Sequence, residues 1–391
     1  MKTKIIQTCT KCLNDNQHPF GLDFNSEGIC YGCIIHKEKR NNKLFLHNED
    51  IFQNEINDLR NKSYKYDCII PIRGSAEDYF VVNYIINKEL NPLIVIVNNH
   101  FLNDLAWHNI HNLITYFDVD SITYTPDIFL YKSMVRSSLV KFNDIYWPYR
   151  YFLQTYSLKL AIDKKVPLIV WGGLQPIEYC GKFSHSDIVQ MSEWSLKEHD
   201  LHGTSIDNFL TTGSRFNFSR ILSYPIISET KKIKGIYLSN YIPWDPWKQN
   251  STFEQAGFLA EDFDHTFDQY ENVGSSVYYQ IHDLLRLEKY SYKKVREQFS
   301  REIRHKRITR ENAQKLMKIY QNQNYSIDNF FKWLDVTNSG KKWWIKHKLP
   351  KTNNLIGNNR VSINWQKSFI SYFTNKSIVP EEKFVTFKKG I

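Results

Sequence analysis

Cys9-x2-Cys12 and Cys30-x2-Cys33, with 17 residues between the pairs, have the spacing of a four-thiolate zinc site. Each C-x2-C pair can curl as a knuckle that turns two thiolates toward one ion, and Gly28 and Gly32 beside the second pair give the turn its freedom. Four thiolates leave no open position, so such a zinc holds a fold and does no catalysis. The competing reading, a pair of disulfides, needs an oxidising compartment. The chain reads instead as cytoplasmic: MKTKIIQTCTKC lacks the apolar stretch of a signal peptide, and no run approaches the roughly 18 apolar residues that span a bilayer.

A second constellation lies at residues 66–82, YDCIIPIRGSAEDYFVV. The apolar run Cys68 to Ile72 stops at Arg73-Gly74-Ser75, and Glu77 and Asp78 then open a helical pattern with Phe80, Val81, Tyr84, Ile85 and Ile86 at its apolar positions. This is strand, tight turn, helix. At such a junction the backbone N–H groups of a helix N-terminus face whatever anion binds beyond the strand. Two further strand ends carry comparable residues: Asn98-Asn99 after Pro92 to Val97, and Gly172-Gly173 through Gln175 after Pro167 to Trp171. In an open α/β sheet these ends converge on one crevice.

The elements that position these residues follow from the periodicity. Strands alternate with helices at about 103–117, 128–142 and 150–164, and further strands read at Ser121 to Tyr124 and Gly235 to Leu238. The expectation is a doubly wound, mostly parallel α/β sheet with right-handed crossovers, an N-terminal zinc ribbon and a C-terminal helical region. The expected divisions are the ribbon at 1–40, a linker helix at 41–65, the sheet domain with a substrate segment at 66–250, a helical cap at 251–340 and a basic, aromatic-rich tail at 341–391. Thr309 is the expected N-cap of a late helix, and Glu297 and Arg301 are read as an i,i+4 charge pair on the one before it.

From 176 to 250 the periodicity loosens and titratable residues gather, among them Glu178, His185, Asp187, Glu193, His199 and Asp200. They read as the wall or lid of a substrate pocket, as metal ligands or acid/base pairs in His185-Ser186-Asp187 and His199-Asp200-x-His202, or as surface polar groups. Trp244 and Asp245 in the turn after the last strand are further candidates for a pocket wall.

The net charge of +10 is concentrated at one end: residues 341–391 hold eleven Lys+Arg against two Asp+Glu, leaving the body nearly neutral. Interleaved with Trp343, Trp344, Trp365, Phe369, Tyr372 and Phe373, this tail suits nucleic acid, an anionic membrane surface, an acidic partner, or merely a solvated docking face. Because the body is neutral, nucleic acid is not the expected partner of the fold itself.

The ribbon, the turn at 66–82, Asn98-Asn99, Trp171-Gly172, the run Asn240 to Asp245 and the segment Ile308-Thr309-Arg310-Glu311 occur in an order that resembles a known family across roughly residues 5–325. The family is the PP-loop ATP pyrophosphatases that act as N-acetyl sugar amidotransferases in the biosynthesis of lipopolysaccharide, capsule and flagellar sugars. Its hallmark Ser-Gly-Gly-x-Asp-Ser corresponds here to Arg73-Gly74-Ser75-Ala76-Glu77-Asp78, in which only the first glycine matches outright. The resemblance implies that Gly74, Ser75, Ala76, Asn98, Asn99, Trp171, Gly172 and Gly173 bind ATP, with the turn's amides as an anion nest. It implies that Arg73, Glu77 and Asp78 do catalytic work. Arg73 would fork a phosphate, and Glu77, or Asp78 after a one-residue shift of register, would hold Mg²⁺.

Gln175, Glu178, His185, Trp244 and Asp245 are the expected contacts to an N-acetylated sugar or nucleotide sugar. The implied chemistry is adenylation of the acetamido oxygen by ATP, departure of pyrophosphate, and displacement of AMP by ammonia from a separate glutaminase-like partner to give an acetamidino sugar. Two alternatives stay open: another PP-loop adenylation such as thiolation, for which Cys180 is the candidate cysteine, or a nucleotide- or sugar-binding module without catalysis.

Overall fold

The computed structural model describes residues 5–60, 65–201, 203–204, 206, 233–260, 265–270, 276–321 and 323–357. The tail aromatics Trp365, Phe369, Tyr372 and Phe373 lie outside the described residues.

The sheet has five parallel strands in the order β3-β2-β1-β4-β5: β1 Cys68–Ile72, β2 Pro92–Val97, β3 Asp120–Tyr124, β4 Leu168–Trp171 and β5 Lys234–Tyr237. β1 and β2 are buried along their whole length, which is why they read as unbroken apolar runs. Their side chains alternate between two cores. Cys68, Ile70, Ile94, Ile96 and Val170 face one, and Ile69, Leu93, Val95 and Ile169 face the other. After the short ribbon helix α1 Tyr31–Ile35, helices cover both faces: α2 Asn42–Arg60, α3 Ala76–Asn87 and α4 Asp104–Phe117 contribute to the first core, and α6 Trp147–Lys164 to the second. α5 Ile128–Phe142 packs with α6 in a third cluster. The expected fold class is therefore observed, and β5 begins and ends one residue earlier than the sequence suggests.

Order reverses between β1 and β4, so the topological switch point lies there. β1 pairs with β4 only through Cys68↔Leu168 and Ile69↔Ile169, although it pairs with β2 as far as Ile72↔Ile96. Pro71, which has no N–H to give a ladder, sits just past the last β4 pair. Beyond it the two strands part, and the gap is the mouth of the crevice.

The C-terminal helices close over this gap. α7 Pro246–Ser251 packs beside α3, α8 Tyr279–Tyr290 joins the cluster built on α5 and α6, and α9 Lys294–Arg304 and α10 Arg310–Gln321 join the first core. Thr309 Oγ1 accepts from Asn312 N at 3.2 Å, as its N-cap role requires. α11 Asp328–Trp333 and α12 Asn338–Lys348 follow. α12 runs across the expected start of the tail at 341, and its Trp344 is buried against Phe331.

α9 differs from its sequence appearance. Glu297 and Arg301 read from the sequence as an i,i+4 charge pair, but both are buried together with Lys294, Glu302 and Arg304, and each takes other partners as well. Glu297 takes Arg286 and Lys294, while Arg301 takes Asp268 and Glu302.

Candidate active site

The turn after β1 is built around a carboxylate. Gly74 has φ +83, and a Cβ there would lie 2.6 Å from the carbonyl oxygen of Ala106, so both backbone conformation and the approach of α4 require glycine. Asp78 Oδ2 accepts from the amides of Arg73 and Ser75, each at 2.8 Å. Of the nest expected from the amides of Gly74, Ser75 and Ala76, the Ser75 amide is thus taken by the chain's own carboxylate, together with the Arg73 amide. Burial pushes the Asp78 carboxyl up, and the charge of Arg73 and the two amides oppose it only in part.

Glu77 points the other way. Its Oε1 accepts from Gly173 N at 3.1 Å, and a Cβ on Gly172 would lie 2.0 Å from the same oxygen. The small residues at the end of β4 make room for this carboxylate. The turn and the β4 end are thereby joined across the switch point.

A cavity of about 290 Å³ fills the crevice. Arg73, Glu77, Asp78, Asn99 and Trp171 through Gln175 line its floor, which is where the three strand ends were expected to converge. Tyr146, just ahead of α6, and Tyr149 and Arg150 on it form one wall, and Tyr279, His282 and Arg286 of α8 the other. Pro19 and Phe20 reach it from the ribbon. Tyrosines with a few charged groups are the composition of a site for an aromatic or ring-shaped polar ligand. Asp144 shapes the α6 wall, accepting from Tyr146 N at 2.7 Å and Trp147 N at 3.0 Å while pairing with Arg150.

A second chamber of about 50 Å³ lies on the other side of Glu77. It shares Arg73, Glu77, Gly173 and Gln175 with the first and adds Glu178 and Trp244. Lys39 donates to Glu178 Oε2 at 2.5 Å and also to the carbonyl of Trp244. Burial alone would raise the Glu178 carboxyl, but Lys39 and His185 outweigh it and hold it below the ordinary carboxylate range.

The four ribbon cysteines come together, all buried, with their Sγ atoms within 4.8 Å of one another. Cys9 and Cys33 are 3.9 Å apart and Cys12 and Cys30 3.7 Å. A tetrahedral ion with Zn–S bonds of about 2.3 Å sets its sulfurs about 3.8 Å apart. The donor set fits zinc. Amides of Lys11, Cys12 and Cys30 point at Cys9 Sγ, and the Arg304 guanidinium lies 3.9 Å from Cys12 Sγ and 3.7 Å from Cys30 Sγ. The same guanidinium donates to the carbonyls of Glu178 and Tyr179. One side chain thus ties the thiolate cluster to the chamber wall.

Of the other expected site residues, Ser75 is buried within the turn, Ala76 starts α3, and Asn98 Oδ1 accepts from His100 N beside the crevice. His185 is 1% exposed between two carboxylates. Asp245 is gripped by Arg307 through two bonds of 2.8 and 2.9 Å. His202 and most of the stretch from 205 to 232 lie outside the described residues. Sequence reasoning missed Phe20, Tyr146, Tyr149, Arg150, Tyr279, His282 and Arg286. Asp144 ahead of Trp147-Pro148 was the one usable signal, because it marks a helix start facing the crevice.

Residues 264–373 match a family described as the C-terminal domain of WbpG-like LPS biosynthesis proteins. An uncharacterized protein of Methanocaldococcus jannaschii is 25% identical over 122 residues, which are 30% of this chain and 43% of that protein. The chain thus covers less than half the length of this curated relative. Among solved structures, NMN synthetase from Francisella tularensis is similar at 9% identity with a TM-score of 0.22, over 62% of this chain and 99% of that one. No helix among the described residues is long and apolar enough to cross a membrane.

Proposed function

We propose that the protein is an AMP-forming, ATP-dependent enzyme of surface-glycan biosynthesis that converts the acetamido group of an N-acetylated sugar or nucleotide sugar into an acetamidino group. One observation carries this reading. Tyr279, His282 and Arg286, which belong to the segment matched to an LPS-biosynthesis domain, line the same cavity as Arg73, Glu77 and Asp78 of the strand-turn-helix. The glycan-related part and the candidate nucleotide part of the chain face one space.

An amide oxygen is a poor leaving group until it becomes a phosphate ester. In the proposed reaction the acetamido oxygen attacks the α-phosphorus of ATP and pyrophosphate departs. Ammonia then adds to the amide carbon, a proton leaves the nitrogen, and AMP departs with the former amide oxygen. Arg73, shared by both chambers, is placed to neutralise phosphate charge, and Asn99 and the glycines at 172 and 173 bound the floor. Mg²⁺ would enter with ATP, since it is bound through one or two carboxylates plus substrate phosphates. Glu77, which faces both chambers, would hold it, and the ion would supply further neutralisation of phosphate charge.

The thiolation alternative gains nothing from Cys180. Its Sγ lies 3.1 Å from His18 Nδ1, and His18 Nε2 lies 2.9 Å from Glu297, an arrangement like that of a nucleophile and its base. The thiol is 2% exposed, lines neither chamber, and is pushed up by burial. It acts as packing between ribbon and α9. In the proposed reaction a separate protein would supply the ammonia. Calorimetry with ATP and Mg²⁺ should show one binding site per chain, and absence of binding would remove the nucleotide from this reading.

A further inference from the structure

α5 and α12 carry seven lysines and arginines between them and no aspartate or glutamate. On α5 these are Lys132, Arg136 and Lys141, and on α12 Lys341, Lys342, Lys346 and Lys348. The two helices run in the same direction along one side of the molecule. Lys132 pairs with Asp335 and Arg136 donates to the carbonyl of Leu334, both just ahead of α12, and Asn143 at the end of α5 donates to the carbonyl of Lys348 at the end of α12. Each helix buries its inner side in the same hydrophobic cluster, α5 through Tyr131, Met134 and Val135 and α12 through Trp344. Their outer sides therefore make one face. Asp335 and Asp328 at its border take Lys132 and Lys341, and Asp127 caps α5 by accepting from Leu130 N. With all three counted, cations still exceed carboxylates by four.

Three large apolar side chains stand in water on these helices. Phe129 is 70% exposed, Val140 43% and Trp343 48%. Phe129, Arg136 and Val140 follow one another at seven and four residues, which is one stripe of a helix, and Lys342, Trp343, Lys346 and His347 form the exposed edge of α12. Single exposed apolar residues are ordinary, but three among so many cations and so few carboxylates suit a partner that offers both negative charge and hydrocarbon. A single-stranded nucleic acid would stack a base on Trp343 and set its phosphates on the lysines, yet it gains nothing from Val140. A lipid surface uses every part of the face: its acyl boundary takes the apolar side chains and its headgroups take the cations.

We propose that the face made by α5 and α12 docks the protein on an anionic lipid surface, with Phe129, Val140 and Trp343 entering the headgroup boundary and the lysines resting among the lipid phosphates. Neither helix is long and apolar enough to cross a bilayer, so the protein lies on the surface. Asn143, where the two helices end together, also lines the main cavity, and docking sets that cavity beside the lipid. This docking does not depend on the reaction proposed above.

The full chain should float with vesicles of equal parts phosphatidylcholine and phosphatidylglycerol and stay behind with phosphatidylcholine alone. Molar salt should release it, because charges then act over only about 3 Å. K342Q/K346Q removes two exposed charges and should weaken binding about tenfold or more in a vesicle titration. W343A and F129S/V140S change side chains that stand in water, and each should weaken binding severalfold with the melting temperature little changed. Failure to float with the anionic vesicles overturns the proposal. So does binding that K342Q/K346Q and F129S/V140S leave unchanged, since the contact would then lie elsewhere on the chain. Binding to polyuridylate in place of anionic vesicles, lost in W343A, would give the face to nucleic acid and overturn the lipid reading.

Discussion

Glu77 and Asp78 are neighbours with opposite tasks. Asp78 turns inward and organises the turn by holding the amides of Arg73 and Ser75, whereas Glu77 reaches across the switch point to Gly173 N. The sequence left open which of them occupies the position of the family's aspartate. Their directions now distinguish an internal strut from a carboxylate that faces both chambers. Gly172 tests this division. In G172A the new methyl would meet the Glu77 carboxylate at 2.0 Å and expel it, while the strand before it stays intact. AMP formation should fall by about 10²-fold with thermal stability changed by little, in the range seen when one preorganised catalytic group is removed. Unchanged turnover in G172A would show that the docked position of Glu77 is not used.

At the level of elements, β1, β2 and β4 were legible because strands buried on both faces spell themselves as apolar runs, and their ends showed as Arg-Gly, Asn-Asn and Gly-Gly. The ribbon was legible because metal-ligand spacing is local. What escaped was the side of the crevice built by distant segments: Phe20 from the ribbon, Tyr146 and Tyr149 from the start of α6, and Tyr279 from α8. A tyrosine at a helix start carries no mark of the cavity it will face. α9 misled for a related reason. Its charges are satisfied by Asp15, His18, Asp268 and the thiolate cluster, partners that no periodicity reveals. The ribbon is therefore more than an appendage. Leu13 N bonds Ser300 Oγ, Arg310 bonds the carbonyls of Cys9 and Cys12, and Pro19 and Phe20 close the cavity. Stripping the metal with a strong chelator should release about one zinc per chain, lower the melting temperature and weaken ATP binding together. Full ATP affinity in stripped protein would separate the ribbon from the site.

Across the whole molecule, buried imidazoles set the response to acid. Burial holds His282 down to about 3 and His36 down to about 2, and it lowers His305 as well. The folded chain keeps these rings neutral at a pH where the unfolded chain, with histidines near 6.5, binds protons. Their contribution is complete above about pH 6.5 and is lost as pH falls from there toward the folded values, by up to about 1.4 kcal/mol per pH unit for each ring. The urea midpoint should therefore drop between pH 7.5 and 5.5, and H282Q should flatten that slope. A flat midpoint over this range would mean that these rings are not neutral in the folded protein.

The central claim is that the crevice at the β1–β4 switch point activates an acetamido oxygen with ATP. The most direct measurement incubates the full chain with ATP, Mg²⁺, ammonium and a panel of N-acetylated sugars and nucleotide sugars, and follows AMP, pyrophosphate and the sugar's mass. The predicted result is equimolar AMP and pyrophosphate with one class of sugar, whose mass falls by about one unit as oxygen gives way to an N–H group, and loss of all three signals in E77Q. No AMP with any sugar, or AMP release that E77Q leaves unchanged, would contradict the account.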